Sequence, residues 1–345
     1  MRRALLALLL LVALVGAGCG ETTQVTEPDL VISDAAASAT PESTPERASR
    51  LRVASSRIAV VSHGQASDSF WAIVKKGVDD AARETGVAVS YRAPDTYDTA
   101  RMSRMIDEAA SAHLDGLVVS LPDVEALKPA IKRAERSGIP VVSINSGSDQ
   151  FRKLGVLAHV GQPEYKAGIE AGKRLAAAGV RDALCVNQEV GNAGLDERCR
   201  GVTTALERVG GRTRVLGVDV QDATQARRRI AQVVTAGDID GIITLGPGGA
   251  SPAMAALQAS GAQRRVKLAT FDLSPEVIEA VRDKKILFAV DQQPYLQGYL
   301  PIVMLAERSK HLLFPARGEL IPTGPQFVTR ANAARVLELS RRGFR

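Results

Sequence analysis

The feature that most restricts what this chain can become is a rhythm beginning at Arg57. Short apolar runs alternate with longer stretches of helical periodicity, at about thirty residues per unit. Residues 58–61, 87–91, 116–120 and 139–144 read as strands. Helices over 69–84, 99–112 and 124–137 separate them, with Asp68 and Asp98 as N-caps and Gly86 and Gly138 as stops. Four such units in a row predict a right-handed parallel sheet covered on both faces. The pattern then repeats. Helices are expected over 165–178, 195–209, 224–236 and 252–260, with another opened by Ser274-Pro275-Glu276. Strands are expected over 183–186, 215–218, 241–245, 266–271 and 286–290, and Pro294 opens a last helix, 295–308. The fold class is therefore α/β, with two similar lobes built on parallel sheets.

Composition agrees with this architecture. The chain has 345 residues, 45% of them hydrophobic but only 4% aromatic, so small branched side chains must carry the packing of strands on helices. The length suggests about two domains. The formal charge is +6, but Arg2 and Arg3 lie in the N-terminal leader and several other arginines in 335–345. No basic run is interleaved with aromatics, so no nucleic-acid partner is expected.

The N-terminus has its own pattern. Arg2-Arg3 is a basic n-region, 4–15 an apolar h-region too short to span a bilayer permanently, and Gly16-Ala17-Gly18 precede Cys19. This resembles a bacterial lipoprotein signal, although Gly16 stands where such signals usually carry Leu. Residues 1–18 are then a signal peptide, Cys19 carries lipid, and 19–56, rich in Thr, Ser, Pro, Glu and Ala, form a flexible tether. The other reading is an ordinary cleaved signal peptide. Either places the mature protein outside the cytoplasm, and the lipid would make the membrane a partner.

Polar residues gather where the expected strands end, which is where ligands sit in parallel α/β sheets. They are Ser62-His63-Gly64-Gln65 with Ser67-Asp68, Asn145-Ser146-Gly147, the stretch 187–192, Gly246-Pro247-Gly248-Gly249, Asp272, and Gln292 in Asp291-Gln292-Gln293. Singly, each has a bland reading: Asp68 caps a helix, Asn145 makes a turn, Asp272 starts a loop. Six such ends in two facing lobes point instead to one ligand cleft, because carboxylates and amides are costly to bury without partners.

Asp68-Ser69-Phe70-Trp71, Ile139-Pro140-Val141, Glu197-Arg198-Cys199-Arg200-Gly201, Ala269-Thr270-Phe271-Asp272 and Asp291-Gln292-Gln293-Pro294 fall in the order seen in ribose-type periplasmic sugar-binding proteins, the substrate-binding components of ATP-driven (ABC) importers. Over 57–330 the chain resembles that family. The resemblance implies two Rossmann-like lobes joined by three hinge crossings, near 159–162, 292–294 and 322–325. The lobes would comprise 57–160 plus 294–322, and 161–293 plus 323–340. It implies ligand contacts from Asp68, Phe70, Trp71, Asn145, Ser146, Arg198, Asp272 and Gln292. Relatives commonly carry Asp-Arg at Asn145-Ser146 and often an Asn near Gly246 to Gly249.

These residue types suit a monosaccharide or related polyol. Phe70 or Trp71 can cover an apolar ring face, although both also suit core packing. Asp68 and Asp272 accept from hydroxyls, Arg198 donates in a planar fork, and amides do both. On this reading Arg198→Ala or Asp272→Ala abolishes binding with little effect on the stability of the free protein. Cys185 and Cys199 either form a disulfide that braces Arg198 or remain two buried thiols.

The chain has no phosphate-loop motif, no His-Glu-x-x-His and no Cys-x-x-Cys, and its four histidines are scattered. No enzyme, cofactor or metal is expected. The resulting expectation is a monomeric solute-binding lipoprotein serving an ABC permease. A receptor of the same fold signalling to a membrane kinase or chemoreceptor is the alternative. A repressor built on the same core would need a helix-turn-helix before Arg57, where a leader and tether stand instead.

Overall fold

The computed structural model describes residues 56–64, 68–112, 114–315 and 317–345. The leader, Cys19 and most of the tether lie outside them. Among the described residues there are two six-stranded sheets, each flanked by helices.

The first sheet contains β1 (Arg57–Val61), β2 (Ala88–Arg92), β3 (Gly116–Ser120), β4 (Val141–Ile144), β5 (Ala158–Gly161) and β11 (Leu320–Pro322), all parallel. Their spatial order is β11-β5-β4-β3-β1-β2. The strands alternate faces, as the two-residue period of extended chain requires. Ala59, Val61, Leu117 and Val119 pack against α2 (Thr99–Ala110) and α3 (Val124–Arg136). Ile58, Val60 and Val118 pack against α1 (Ser69–Thr85) and α9 (Pro294–His311).

The second sheet repeats the plan with β6 (Asp182–Asn187), β7 (Arg212–Gly217), β8 (Gly241–Thr244), β9 (Lys267–Phe271), β10 (Ala289–Asp291) and β12 (Gln326–Val328), in the order β12-β10-β9-β8-β6-β7. Only β12 runs antiparallel to its neighbour. One face is covered by α6 (Ala223–Ala236), α7 (Pro247–Ala259), α8 (Pro275–Arg282) and α10 (Ala333–Arg341). The other is covered by α4 (Glu164–Ala177) and α5 (Ala193–Glu207).

The chain passes between the sheets three times, after β5, after β10 and between β11 and β12. Each of the first two crossings leads into a helix that meets, at glycines, the helix following the first strand of its lobe. A Cβ on Gly77 of α1 would lie 2.1 Å from Tyr295 O of α9, and one on Gly298 of α9 would lie 1.9 Å from Val74 O. In the second lobe a Cβ on Gly168 of α4 would lie 2.2 Å from Arg198 O of α5, and one on Gly201 would lie 2.3 Å from Tyr165 O. Only glycine permits backbones to approach this closely.

Several elements differ from the sequence expectation. β5, β11, β12 and α10 were not anticipated, and β10 begins at Ala289 rather than at 286. Residues 287 and 288 still exchange backbone hydrogen bonds with β9. β7 starts at Arg212, three residues early, because an edge strand accommodates the exposed Arg212 and half-buried Thr213 that masked it.

Candidate functional site

The carboxyl ends of both sheets meet, and the side chains at those ends form one connected network. At its floor lies Arg198, on α5, only 2% exposed. Its Nε and Nη2 donate to the two carboxylate oxygens of Glu164, at 2.6 and 2.9 Å. Nη1 donates to Leu245 O at 3.2 Å and to Asp272 Oδ2 at 3.4 Å. Its guanidinium also covers the Phe271 ring at 4.8 Å. The glycine-mediated approach of α4 to α5 is what lets Glu164, at the first position of α4, reach this guanidinium.

From Asp272 the network runs into the hinge. Gln292 Nε2 donates to Asp272 Oδ1 at 2.6 Å, and Gln292 Oε1 accepts from Asn145 Nδ2 at 3.3 Å. Gln297 on α9 ties this amide down, donating to Gln292 Oε1 at 2.9 Å and to Thr323 Oγ1 at 3.1 Å. Asn145 Nδ2 also donates to Gln297 Oε1 at 3.1 Å. Each of the three crossings thus contributes a buried polar side chain: Gln162, Gln292 and Thr323.

The lobes also touch directly across the cleft. Ser146 Oγ donates to Asn192 Oδ1 at 3.0 Å, and the Ala193 amide donates to Pro122 O at 2.8 Å. Asn192 Nδ2 lies 3.3 Å from His63 Nε2 and donates to Glu189 Oε2 at 2.7 Å. His63 is fixed from behind, its backbone N–H donating to Ser120 Oγ at 2.9 Å and its Nδ1 pairing with the same hydroxyl at 2.8 Å. Its ring meets Trp71 edge-on at 4.8 Å, and Trp71 meets Phe70 at 5.2 Å.

The structure therefore links all eight side chains named from the sequence, each in a particular way. Asp68 is the N-cap of α1, accepting from the Phe70 amide at 2.8 Å and the Trp71 amide at 3.4 Å. Phe70 and Trp71 are 8% and 5% exposed and belong to the first lobe's core, with Trp71 pressed against Gly64 and His63. Asn145, Ser146, Asp272 and Gln292 are buried where the two lobes meet. Arg198 differs from the expectation: its Nε–Nη2 fork is occupied by Glu164, and only Nη1 is left to reach Leu245 O and Asp272. A buried carboxylate of exact complementary shape takes the fork because two charges buried together must pair.

Two further sequence readings change. Gly246-Pro247-Gly248-Gly249 does follow the end of β8, but the helix expected from 252 already begins within it. Gly246 is an extended N-cap and Pro247 opens α7, where its missing N–H costs nothing. Glu164 was not singled out, while Glu189 and Asn192 lay inside the expected stretch 187–192 without roles of their own. Glu164 reads locally as an acidic residue in a first helical turn, where the dipole welcomes it, and nothing nearby signals its distant arginine.

Burial governs the electrostatics. It lowers the His63 pKa to about 3, so the ring is neutral. It raises Asp272 to about 6 against the pull of Arg198. It raises Glu189 as well, against the Asn192 hydrogen bond. Asp68 keeps solvent contact, yet the surrounding walls still raise its carboxyl. Arg198 is disfavoured by its own burial, but Glu164 and Asp272 together outweigh that and hold it firmly charged. Among the described residues no cluster of His, Cys, Asp and Glu could hold a metal ion. Cys185 on β6 and Cys199 on α5 are joined as a disulfide beside Arg198, with Cα atoms 5.9 Å apart.

The family described as periplasmic binding protein domain matches residues 58–311. The chain belongs to this family. Family members of this kind are sugar-binding transport proteins rather than enzymes, and they act outside the cytoplasm. A solved structure of a carbohydrate transporter from Acidothermus cellulolyticus, in complex with myo-inositol, is 36% identical with a TM-score of 0.79, over 84% of this chain and 100% of that one. Among curated proteins, the xylose/arabinose-binding protein XylF of Sulfolobus acidocaldarius is 26% identical over 80% of this chain and 71% of its own length. The ribose import binding protein RbsB of Bacillus subtilis is 23% identical over 68% and 75%. The two-lobed parallel α/β architecture is the type I fold of this family.

Proposed function

We propose that this chain is an extracytoplasmic receptor that closes its two lobes over a monosaccharide or a cyclic polyol such as myo-inositol and delivers it to an ABC permease. The observation that carries this reading is the convergence of Asp68, Asn145, Asn192, Asp272 and Gln292 on one interlobe cleft, beside the Trp71 ring. A ring of hydroxyls, each able to donate and accept, matches a wall of amides and carboxylates, while an aromatic surface suits its C–H face. The bound myo-inositol of the Acidothermus relative supports the cyclitol end of that range. Interlobe contacts such as Ser146 to Asn192 form only when the lobes meet, so a ligand that bridges them shifts the population toward closure.

The reading extends to a monomer with no catalytic step and no cofactor, held at the membrane by lipid on Cys19. Calorimetry of the mature protein against myo-inositol, pentoses, hexoses and linear sugar alcohols tests it. Saturable heat with a cyclic polyol is expected, and silence across the panel overturns it. Mass spectrometry of the mature N-terminus tests the anchor, since an unmodified Cys19 would remove it.

A further inference from the structure

We infer that Glu164 is the specificity-determining residue that makes this cleft reject anionic polyols, by consuming the charge of Arg198. The inference rests on the ligand-cleft reading above and deepens it. Arg198 is the one cation in the described network, and an exposed guanidinium at its position would attract a carboxylate or phosphate as readily as a hydroxyl. Its Nε–Nη2 edge, the geometry that suits bidentate recognition of such anions, is closed by Glu164 at 2.6 and 2.9 Å. Asp272 lies 3.4 Å from Nη1. Two carboxylates thus face one guanidinium, and the floor of the cleft carries net negative charge.

Glu164 acts through Arg198, so it is a positioning residue and not a ligand contact. It is only 2% exposed. It is held on its other side by Gln162, whose Nε2 donates to Glu164 Oε2 at 2.8 Å. Its backbone N–H donates to Ser148 Oγ at 3.4 Å. These contacts fix the carboxylate at the start of α4, directly after the first hinge crossing. A uronate or a phosphorylated cyclitol would have to bring a further negative charge into a partly dehydrated cleft that, among the described residues of this network, has no uncommitted cation to receive it.

The test compares matched neutral and anionic probes, myo-inositol with myo-inositol 1-phosphate and glucose with glucuronate, on wild type, Glu164→Gln and Glu164→Asp. Glu164→Gln keeps the shape and one acceptor for Arg198 while removing the charge. It should gain affinity for the anionic probes by about tenfold or more, since one unit charge at this range is worth at least that. The gain should shrink in high salt, and affinity for the neutral probes should change far less. Glu164→Asp should keep the wild-type rejection. A Glu164→Gln protein that folds yet shows no gain overturns the assignment, as does wild type that binds an anionic probe as tightly as its neutral partner. The wild-type comparison decides the matter even if the variant fails to fold. Wild type that binds no neutral polyol overturns the receptor reading instead, and the anion gain of Glu164→Gln still decides this one.

Discussion

Asn145 and Asp272 occupy the same place in the two lobes. Each is the first residue beyond its strand, β4 or β9, and each holds a left-handed backbone, with φ of 62° and 61°. Each donates its backbone N–H to the neighbouring strand, to Val160 O at 3.2 Å and Val290 O at 2.8 Å. One amide, Gln292, then reaches both side chains. A repeated turn thus delivers one polar group per lobe to a single hinge residue. Strained backbone at such a point is the kind of feature that persists where a site depends on it.

Asn145→Val should expose that strain. A left-handed backbone costs an ordinary L-residue roughly 1–2 kcal/mol, and a β-branched side chain fits it worst. The substitution also strands the hydrogen bonds to Gln292 and Gln297. A loss of about 2–3 kcal/mol in urea unfolding is expected, whereas Asn145→Gly should unfold near the wild-type midpoint and bind ligand more weakly. Equal stability of the valine variant would show that the turn is not strained.

Ligand affinity should depend on pH through Asp272. Burial, partly offset by Arg198, raises its pKa from 3.8 to about 6 in the folded protein. Above about 6 it is a charged acceptor for hydroxyls, so affinity for a neutral polyol should weaken as pH falls through that value. Stability runs the other way. The folded form keeps its proton longer than the unfolded one, so this group contributes most below 3.8 and its contribution is lost as pH rises to about 6. Calorimetry across this range, repeated on Asp272→Asn, checks both: the variant should show a flat profile.

The sheets were legible because their signals are local. Apolar runs, the Asp68 cap and the left-handed Gly86 that ends α1 all lie within a few residues of the structure they make. The polar residues at Asn145, Asp272 and Gln292 were legible for a related reason, since amides and carboxylates beside buried strands need partners. The hinge was not legible in the same way. β5 is four residues long with His159 inside it, and β11 and β12 have three residues each. Gln297 and Thr323 meet only because distant crossings pass side by side. The Glu164–Arg198 pair depends on Gly168 and Gly201 bringing two helices together, which no local window shows.

That pair reverses one expectation from the sequence. Arg198→Ala should not leave the free protein unchanged, because it strands Glu164 as an uncompensated buried charge. Breaking a buried ion pair from one side costs about 3–5 kcal/mol. The double variant Arg198→Ala/Glu164→Ala should recover part of that loss, since it removes both charges. Urea unfolding of the single and double variants measures the coupling, and additive losses would mean the two groups do not interact.

The disulfide between Cys185 and Cys199 closes a short loop, 14 residues apart in sequence, that carries Asn187, Glu189 and Asn192. Cross-links of this loop length limit the unfolded chain by about 3 kcal/mol. Cys185→Ala/Cys199→Ala should unfold at correspondingly lower urea, and its affinity should fall as well because the loop bearing Asn192 loses its brace. Retained affinity with lowered stability would restrict the bridge to a structural role.

The C-terminal segment offers the last test. α10 is anchored in the second lobe's core by Ala333 and Leu337, yet Phe344 packs on Tyr295 of α9 at 5.1 Å, under the Lys76 ammonium at 4.8 Å. Arg345 forms an ion pair with Asp291, the buried last residue of β10. Burial raises the Asp291 pKa and Arg345 pulls it back. Without Arg345 the folded pKa rises further, so the carboxylate is penalised wherever the unfolded chain ionises it. Arg345→Ala should therefore destabilise the protein at neutral pH and lose that effect as pH falls below the ordinary carboxyl range, where Asp291 is protonated in both states. Unfolding curves at the two pH values separate this from a packing effect, because loss of packing alone would lower stability equally at both.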